Sequence, residues 1–154
     1  MKIELTMTEC LNACQLGAIR HFESVFKGRK PRFQMKEGNS LLNHQRGVLG
    51  ELAFCKMVNR YWHPHYNLFS SPDFGGDVEI RTSSMDCLKV KENDEGRVVS
   101  MTVDTECNPP CGKYNGWMNV SEAKDKRWLK DPAGYGHPAY FVPLEQLNKE
   151  MIRL

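Results

Sequence analysis

Apolar residues recur at helical spacing through the first sixty positions of the chain. A helix is predicted over residues 8–26, where the apolar positions that repeat at steps of three and four residues are Leu11, Cys14, Ala18 and Phe22. Thr8 suits the N-cap position of this helix, with Glu9 following it. A second helix is predicted over residues 40–61, after a basic loop.

The second helix carries a carboxylate within its apolar stripe. At about 100° per residue, Glu51 falls inside a stripe that consists of Val48, Leu52, Cys55, Asn59 and Trp62. A carboxylate on a core-facing side is costly unless a cation or a metal ion pairs with it. Two interpretations follow. Either Glu51 is such a ligand, or the helix is slightly rotated and Glu51 bonds at its rim to Arg46 or Lys56.

Beyond residue 61 the pattern changes to strands and turns. Alternation over residues 77–82 places Val78 and Ile80 on one face of a strand. Further strands are expected at residues 66–69, 97–103, 117–120 and 139–142. Loops are expected at 104–113 and 131–136, and helices at 121–129 (capped by Ser121) and from 143 to 148. This order predicts an α/β fold with a mixed sheet flanked by helices.

Length and composition place the chain among ordinary globular proteins. Its 154 residues, 40% hydrophobic and 26% charged, predict a single domain over residues 1–154. No apolar run approaches the roughly 18 residues that span a bilayer, and the N-terminal residues lack a signal-peptide core. We therefore expect a cytoplasmic protein with no membrane partner.

Cationic residues cluster between residues 27 and 36. They are Lys27, Arg29, Lys30, Arg32 and Lys36. Such a segment can contact nucleic-acid phosphates, but it can equally be a solvated loop between two helices. Among the aromatic residues that follow, core packing and base stacking are both open for Tyr61, Trp62, Tyr66 and Phe69.

Six cysteines are expected to be free thiols that the fold does not require, because the chain shows no secretory signal. Cys107 and Cys111 can supply half of a zinc site, but their spacing is wider than the two-residue knuckle common in structural zinc sites. The remaining ligands of such a site would be His63 and His65, or Cys10 and Cys14. A small zinc-stabilised interaction domain is therefore one hypothesis.

Four charged residues lie within nine positions of the central segment: Asp73, Asp77, Glu79 and Arg81. A bend at Gly75-Gly76 can fold Asp73 back beside Glu79, although Asp77 competes with Asp73 for this role. Adjacent carboxylates repel one another unless a cation lies between them. Oxygen-only ligands favour Mg²⁺ or Mn²⁺. The alternative interpretation is a surface hairpin with a Glu79–Arg81 pair.

The segment PDFGGDVEIR resembles the signature of the PD-(D/E)XK superfamily of restriction-endonuclease-like nucleases. The resemblance implies a restriction-endonuclease-like core after an N-terminal helix, and a metal-dependent phosphodiesterase acting on DNA. It assigns the metal to Glu51, Asp73 and Glu79, with the Ile80 carbonyl as a further ligand. Arg81 would contact the scissile phosphate. Arg81 replaces the lysine that usually orients the attacking water, and arginine does not give up its proton.

A narrower resemblance is to small proteins encoded by bacteriophages. It rests on Arg20 near the end of the first helix, on the helix GELA, on the DxG and ExRT elements of the hairpin, and on Gly116-Trp117 and AYFVP. This resemblance implies the host cytoplasm as the location. It also implies an alternative function, in which a weak or inactive nuclease-fold protein binds DNA or a host protein as an accessory or counter-defence factor. A homodimer is a further alternative, because many nucleases of this fold dimerise.

Overall fold

Two helices cover one face of a mixed sheet, and a smaller sheet covers part of the other face. The computed structural model describes residues 1–29, 39–63, 73, 74, 76–83, 86–132, 134 and 136–154. The predicted α/β class with a mixed sheet and helices is confirmed. The expected strand at residues 66–69 lies outside the described residues. Neither long helix in the described part of the chain is apolar enough to cross a membrane.

The strands form one mixed sheet of four and one antiparallel sheet of three within the described residues. The first sheet has the order β1-β5-β4-β2, with β2 parallel to β4, and the second has the order β3-β7-β6. The elements are β1 (Lys2–Glu4), α1 (Met7–Phe26), α2 (Asn39–Met57), β2 (Val78–Thr82), β3 (Cys87–Val90), β4 (Arg97–Asp104), β5 (Cys111–Asn119), α3 (Val120–Ala123), β6 (Leu129–Lys130) and β7 (Ala139–Pro143). Short 3₁₀ turns occupy Lys126–Trp128 and Leu144–Gln146.

Helix α1 begins one residue earlier than predicted, because Thr6 caps it instead of Thr8. The Thr6 side chain accepts a hydrogen bond from the Glu9 N–H, and the Glu9 carboxylate accepts one from the Thr6 N–H. This reciprocal capping box satisfies two amide groups at the helix start. Glu9 also pairs with Lys56 at 2.8 Å, which joins the start of α1 to the end of α2.

The apolar positions that predicted α1 are only partly buried. Leu11 is 64% exposed and Phe22 is 53% exposed, so the pattern identified a helix but not its buried face. The buried positions of α1 are Ala13, Leu16 and Gly17. A Cβ atom on Gly17 would lie 2.5 Å from the Gln45 Cα atom, so a glycine lets the two helices cross closely.

Helix α2 ends at Met57, four residues before the predicted end at residue 61. Asn59 adopts a left-handed conformation with φ of 52°, and the Arg60 N–H donates to the Cys55 carbonyl. Asparagine tolerates this conformation better than most residues, and it commonly terminates a helix there. The predicted stripe therefore ends before Asn59 and Trp62.

Strand β2 alternates as predicted, with Val78 and Ile80 buried. Both pack in a core cluster with α2 residues such as Leu49 and Phe54. Val98, on the adjacent strand β4, belongs to the other cluster, which lies against the small sheet. The mixed sheet is therefore covered on both faces, and the side chains of Glu79 and Arg81 point away from α2.

Several predictions for the second half were wrong in extent or type. The expected loop 104–113 ends at residue 110, because β5 begins at Cys111 and pairs with both β1 and β4. The expected helix 121–129 is the single turn α3, capped at Asn119 instead of Ser121, followed by a 3₁₀ turn that the Asp125 side chain caps. The expected helix from residue 143 is also a 3₁₀ turn. Strand β7 agrees with the prediction to within one residue.

Candidate functional site

Asp73 lies against the outer edge of β2. One of its carboxylate oxygens, Oδ2, accepts the Ile80 N–H at 2.8 Å. Beside it, Phe74 and Val78 exchange two backbone hydrogen bonds of 3.0 Å. Gly76, with φ of 81°, helps turn the chain between them. The bend predicted from the two glycines thus returns Asp73 to the strand that carries Glu79, although Gly75 itself lies outside the described residues.

The Ile80 carbonyl faces the same edge as Asp73. The Ser83 N–H donates to the Met101 carbonyl of β4, so odd-numbered positions of this segment direct their backbone groups toward β4. Even-numbered positions direct theirs toward the open edge, since the N–H and C=O of one strand residue point the same way. The Ile80 carbonyl therefore points toward the open edge of β2, where Asp73 lies.

Glu79 and Arg81 share the face of β2 that points away from α2. Arg81 Nη2 lies 3.2 Å from a Glu79 oxygen and 2.9 and 3.0 Å from the two oxygens of Asp94. Burial, followed by the neighbouring Asp73 carboxylate, raises the pKa of Glu79 to about 7, while Arg81 acts in the opposite direction. Glu79 consequently holds a proton over part of the neutral pH range.

Glu51 is largely buried, with 14% of its side chain exposed. Its two oxygens accept hydrogen bonds from the Arg20 guanidinium at 2.6 and 3.1 Å. The interpretation that Glu51 bonds at the rim of the stripe to Arg46 or Lys56 is wrong about the partner. Arg20 pairs with Glu51, and Lys56 pairs with Glu9. Burial raises the pKa of Glu51, and Asp73 raises it too, while Arg20 acts in the opposite direction.

Asp73 interacts electrostatically with both of the other carboxylates. Glu51 approaches the β2 edge from the helix side, and Glu79 lies on the opposite face of the strand. The pKa of each is raised by Asp73. The oxygen atoms of these three carboxylates are not close enough together to hold one ion. Among the described residues, three potential ligand atoms lie within 4.8 Å of one another at one place, which consists of Asp104, Cys107 and Cys111. An ion at Asp73 would require Glu51 and Glu79 to turn toward it.

Asp77, the competing candidate, is engaged elsewhere. Its two oxygens accept hydrogen bonds from Arg97 at 2.7 and 2.8 Å, and the Gly96–Arg97 backbone packs against its carbonyl. This pair ties the start of β2 to the start of β4. The structure therefore places Asp73, and not Asp77, next to Glu79.

Sequence reasoning missed several charged residues around the site. Arg20 neutralises Glu51, and Asp94 holds Arg81. Lys89 on β3 lies near Arg81, and burial together with the neighbouring Lys91 and Arg81 lowers its pKa to about 8. The alternation Leu88-Lys89-Val90 could have indicated a strand with an outward lysine. Nothing local in the sequence joins Arg20 to Glu51.

The other predicted features divide between described and undescribed residues. Lys27, which follows the last residue of α1, pairs with Glu23. Residues 30–36 of the basic segment lie outside the described residues. Tyr61 is 83% exposed, and Trp62 packs against the core. Tyr66, Phe69 and His65 lie outside the described residues. All six cysteines, each within the described part of the chain, are free thiols.

Comparisons of the chain with models of protein families, with curated proteins and with solved structures find no match.

Proposed function

We propose that this chain is a metal-dependent phosphodiesterase, a nuclease acting on DNA, with a PD-(D/E)XK restriction-endonuclease-like core and Mg²⁺ or Mn²⁺ as cofactor. The observation that carries the proposal is the position of Asp73. Its carboxylate lies on the open edge of β2 and raises the pKa of both Glu51 and Glu79, so that carboxylates from three separate segments interact there. Clustered carboxylates are mutually unfavourable, and a hard divalent cation relieves this repulsion.

The ligands in this proposal are the carboxylates of Glu51, Asp73 and Glu79, together with the Ile80 carbonyl. A divalent ion there would lower the pKa of a bound water and stabilise charge on a phosphodiester. The chain's own groups would position the phosphate. When Glu51 turns toward an ion, Arg20 loses its two hydrogen bonds to Glu51, and its guanidinium has the shape and charge that suit a phosphate oxygen. Arg81 Nε is buried without a hydrogen-bond partner in the described structure, so it retains a donor for an anion.

Position 81 carries arginine in place of the lysine of the signature, and Lys89 lies near it. Arg81 is a fixed charge and does not move protons at neutral pH. Lys89, near Arg81, has a pKa lowered to about 8 and can exchange a proton close to neutrality. In this proposal Arg81 holds the phosphate and Lys89 adds a second positive charge near Arg81.

A second candidate function is a nuclease-fold protein with a weak or inactive site that binds DNA or a host protein. The favouring observation is that each arginine already donates to both oxygens of a carboxylate. Arg20 grips both oxygens of Glu51, and Arg81 grips both oxygens of Asp94. An ion must displace these pairs before it binds. A phage origin, a location in the host cytoplasm and a homodimeric state belong to the same set of proposals.

A cleavage assay separates the two candidates. Supercoiled plasmid, linear duplex, single-stranded DNA and RNA are incubated with the protein in Mn²⁺, in Mg²⁺ and in EDTA. The nuclease proposal expects metal-dependent cutting of DNA that Asp73→Asn abolishes. Asparagine retains an oxygen for the Ile80 N–H, so the bend is preserved. The matched control is Glu145→Gln, an exposed carboxylate, which should cut like the wild type.

Binding without cutting on every substrate would favour the second candidate. DNA affinity should then fall with salt if the basic residues contact phosphates. Neutralising Arg29, Lys30 and Arg32 together should flatten the slope of log K against log salt. An unchanged slope would assign that segment to a solvated loop.

A further inference from the structure

Three side chains with metal-ligand chemistry meet at the connection between β4 and β5. Asp104 is the last residue of β4, Cys111 is the first residue of β5, and the two are directly paired across the strands. The connecting loop returns Cys107 onto this pair, with the two sulfur atoms 3.1 Å apart. One ligand atom from each of these three residues lies within 4.8 Å of those from the other two.

We propose that Asp104, Cys107 and Cys111 bind one thiophilic divalent ion of the zinc class, with Glu4 as the fourth ligand. Glu4 is included because of the strand register. It is paired with Cys111 on β1, just as Asp104 is on β4. Residues directly opposite one another on adjacent strands point to the same face, with Cβ atoms about 5 Å apart. Glu4 is exposed and lies across Cys111 from Asp104. Its carboxylate is not one of the three clustered ligand atoms, so it would have to turn toward the ion.

The ligand set favours a soft or borderline ion over Mg²⁺ or Mn²⁺. Thiolates select zinc-like ions, whereas hard ions prefer sites made of oxygen alone. Zinc–sulfur bonds of about 2.3 Å in a tetrahedral site separate two sulfurs by about 3.8 Å. The observed separation of 3.1 Å is nearer to this value than to the roughly 2.05 Å of a disulfide bond. A small outward turn of Cys107 would complete the geometry.

The loop is arranged before any ion arrives. Asp104 Oδ1 accepts the N–H groups of Glu106 and Cys107 at 3.0 and 3.2 Å, which fixes the turn. Both bonds use Oδ1, so Oδ2 is left to face the ion. The Cys107 thiol lies near the carbonyls of Asp104 and Pro109. On binding, both thiols release their protons to solvent and Cys107 exchanges these contacts for the metal bond.

This site differs from the acidic site in chemistry and position, so each can fail without the other. Cys111 belongs to a nine-residue strand that pairs on both sides, and strand pairing does not depend on an ion. We therefore expect an ion to stabilise the folded chain by mass action, and not to be required for folding.

Cobalt substitution tests the proposal. The full chain, stripped of metal and reduced with a phosphine, is titrated with Co²⁺ and the absorption spectrum is recorded. The expected result is one thiolate-bound ion per chain, with thiolate-to-cobalt charge-transfer bands and the intense visible bands of a tetrahedral ion. Zn²⁺ should then displace Co²⁺ and remove these bands. A wild-type spectrum without charge-transfer bands would overturn the proposal.

Variants assign the ligands. Cys107→Ser and Cys111→Ser should each lose most of the charge-transfer absorption. Asp104→Asn keeps an acceptor for the turn and should weaken affinity at least about tenfold, because even groups that only orient ligands contribute about 10–100-fold. Cys87→Ser, on β3, is the matched control and should bind like the wild type. Circular dichroism of each variant verifies folding.

Two further outcomes are decisive. Glu79→Gln should leave Co²⁺ binding intact, since Glu79 belongs to the acidic site. Loss of the bands in Glu79→Gln or Cys87→Ser, with retention in Cys107→Ser, would overturn the assignment. Mass spectrometry before reduction that showed Cys107 joined to Cys111, followed by no Co²⁺ binding after reduction, would replace the metal site with a disulfide.

Discussion

The Arg20 guanidinium donates to both carboxylate oxygens of Glu51, at 2.6 and 3.1 Å. Arg20 comes from α1 and Glu51 from α2, so this pair crosses the helix interface. It explains how a carboxylate occupies the apolar stripe of α2, because the charge is balanced where it is buried. It also makes α1 part of the candidate site.

Replacing Arg20 with leucine should destabilise the metal-free protein. Removing one partner of a fully buried pair costs about 3–5 kcal/mol, and the partial exposure of this pair lowers the expectation to about 2 kcal/mol. The control is Lys27→Ala, which breaks the exposed pair with Glu23 and should cost about 0.5 kcal/mol or less. Urea denaturation measures both. Equal losses in the two variants would contradict a buried role for Glu51.

Two glycines of α2 test how closely this helix approaches β2. A Cβ atom on Gly50 would lie 1.9 Å from Thr82 Oγ1, whereas one on Gly47 would meet nothing within 4 Å. Gly50→Ala should therefore cost about 1–3 kcal/mol through overpacking. Gly47→Ala should be neutral or stabilise by up to about 1 kcal/mol, since alanine is the better helix former. Thr82→Ala should recover part of the loss in a double-mutant cycle. Similar unfolding energies for the two alanine variants would show that α2 does not contact Thr82 as described.

The ionisation of Glu79 should make stability depend on pH. Its folded-state pKa of about 7 is higher than the ordinary value of 4.5, so the folded chain binds the proton more tightly. The contribution of this proton to the free energy of unfolding is fully present below about pH 4.5 and is lost as the pH rises through 7. In the metal-free protein, the Glu79→Gln variant should not lose this stability as the pH rises. Its melting temperature at pH 8 should therefore be a few degrees above that of the wild type.

Melting curves recorded from pH 4.5 to 8 measure the difference between wild type and Glu79→Gln. Glu145→Gln, an exposed substitution, should track the wild type at every pH. Parallel curves for wild type and Glu79→Gln would show that Glu79 has an ordinary pKa and is not crowded by Asp73.

Arg81→Lys restores the residue that the PD-(D/E)XK signature usually carries. Lysine cannot hold both oxygens of Asp94, so we expect a stability loss of about 1 kcal/mol. Metal binding should persist, because Arg81 is not a ligand. If the site cuts DNA, the cleavage rate of Arg81→Lys under single-turnover conditions should equal or exceed that of the wild type. A variant that folds and binds metal but loses all wild-type cleavage would show that the guanidinium itself is needed.

The sequence predicted the elements that local pattern alone defines. Alternation located β2 with the correct buried face, and turn residues marked the start of β4 at Arg97. The bend beside Gly76 was also predicted, since few residues other than glycine adopt its positive φ. These features depend on neighbours in the chain and not on distant contacts.

Elements that depend on distant partners were not predicted. Cys111, Gly112 and Lys113 have weak strand propensity, yet they form β5 because β1 and β4 pair with them on both sides. Leu11 and Phe22 of α1 recur at the spacing of a core face but are exposed, so spacing alone located the helix and not its buried face. The partner of Glu51 was missed because Arg20 is 31 residues away.

Isothermal titration of the metal-free wild type with Mn²⁺ tests the central claim most directly. The account predicts one ion per chain at the acidic site, with Asp73→Asn and Glu79→Gln each losing most of the heat and Cys107→Ser retaining it. At pH 8, where Glu79 has lost its proton, binding should be tighter than at pH 6. A wild type that binds no Mn²⁺ at pH 8, or that loses binding only with Cys107→Ser, would contradict a metal site at Asp73.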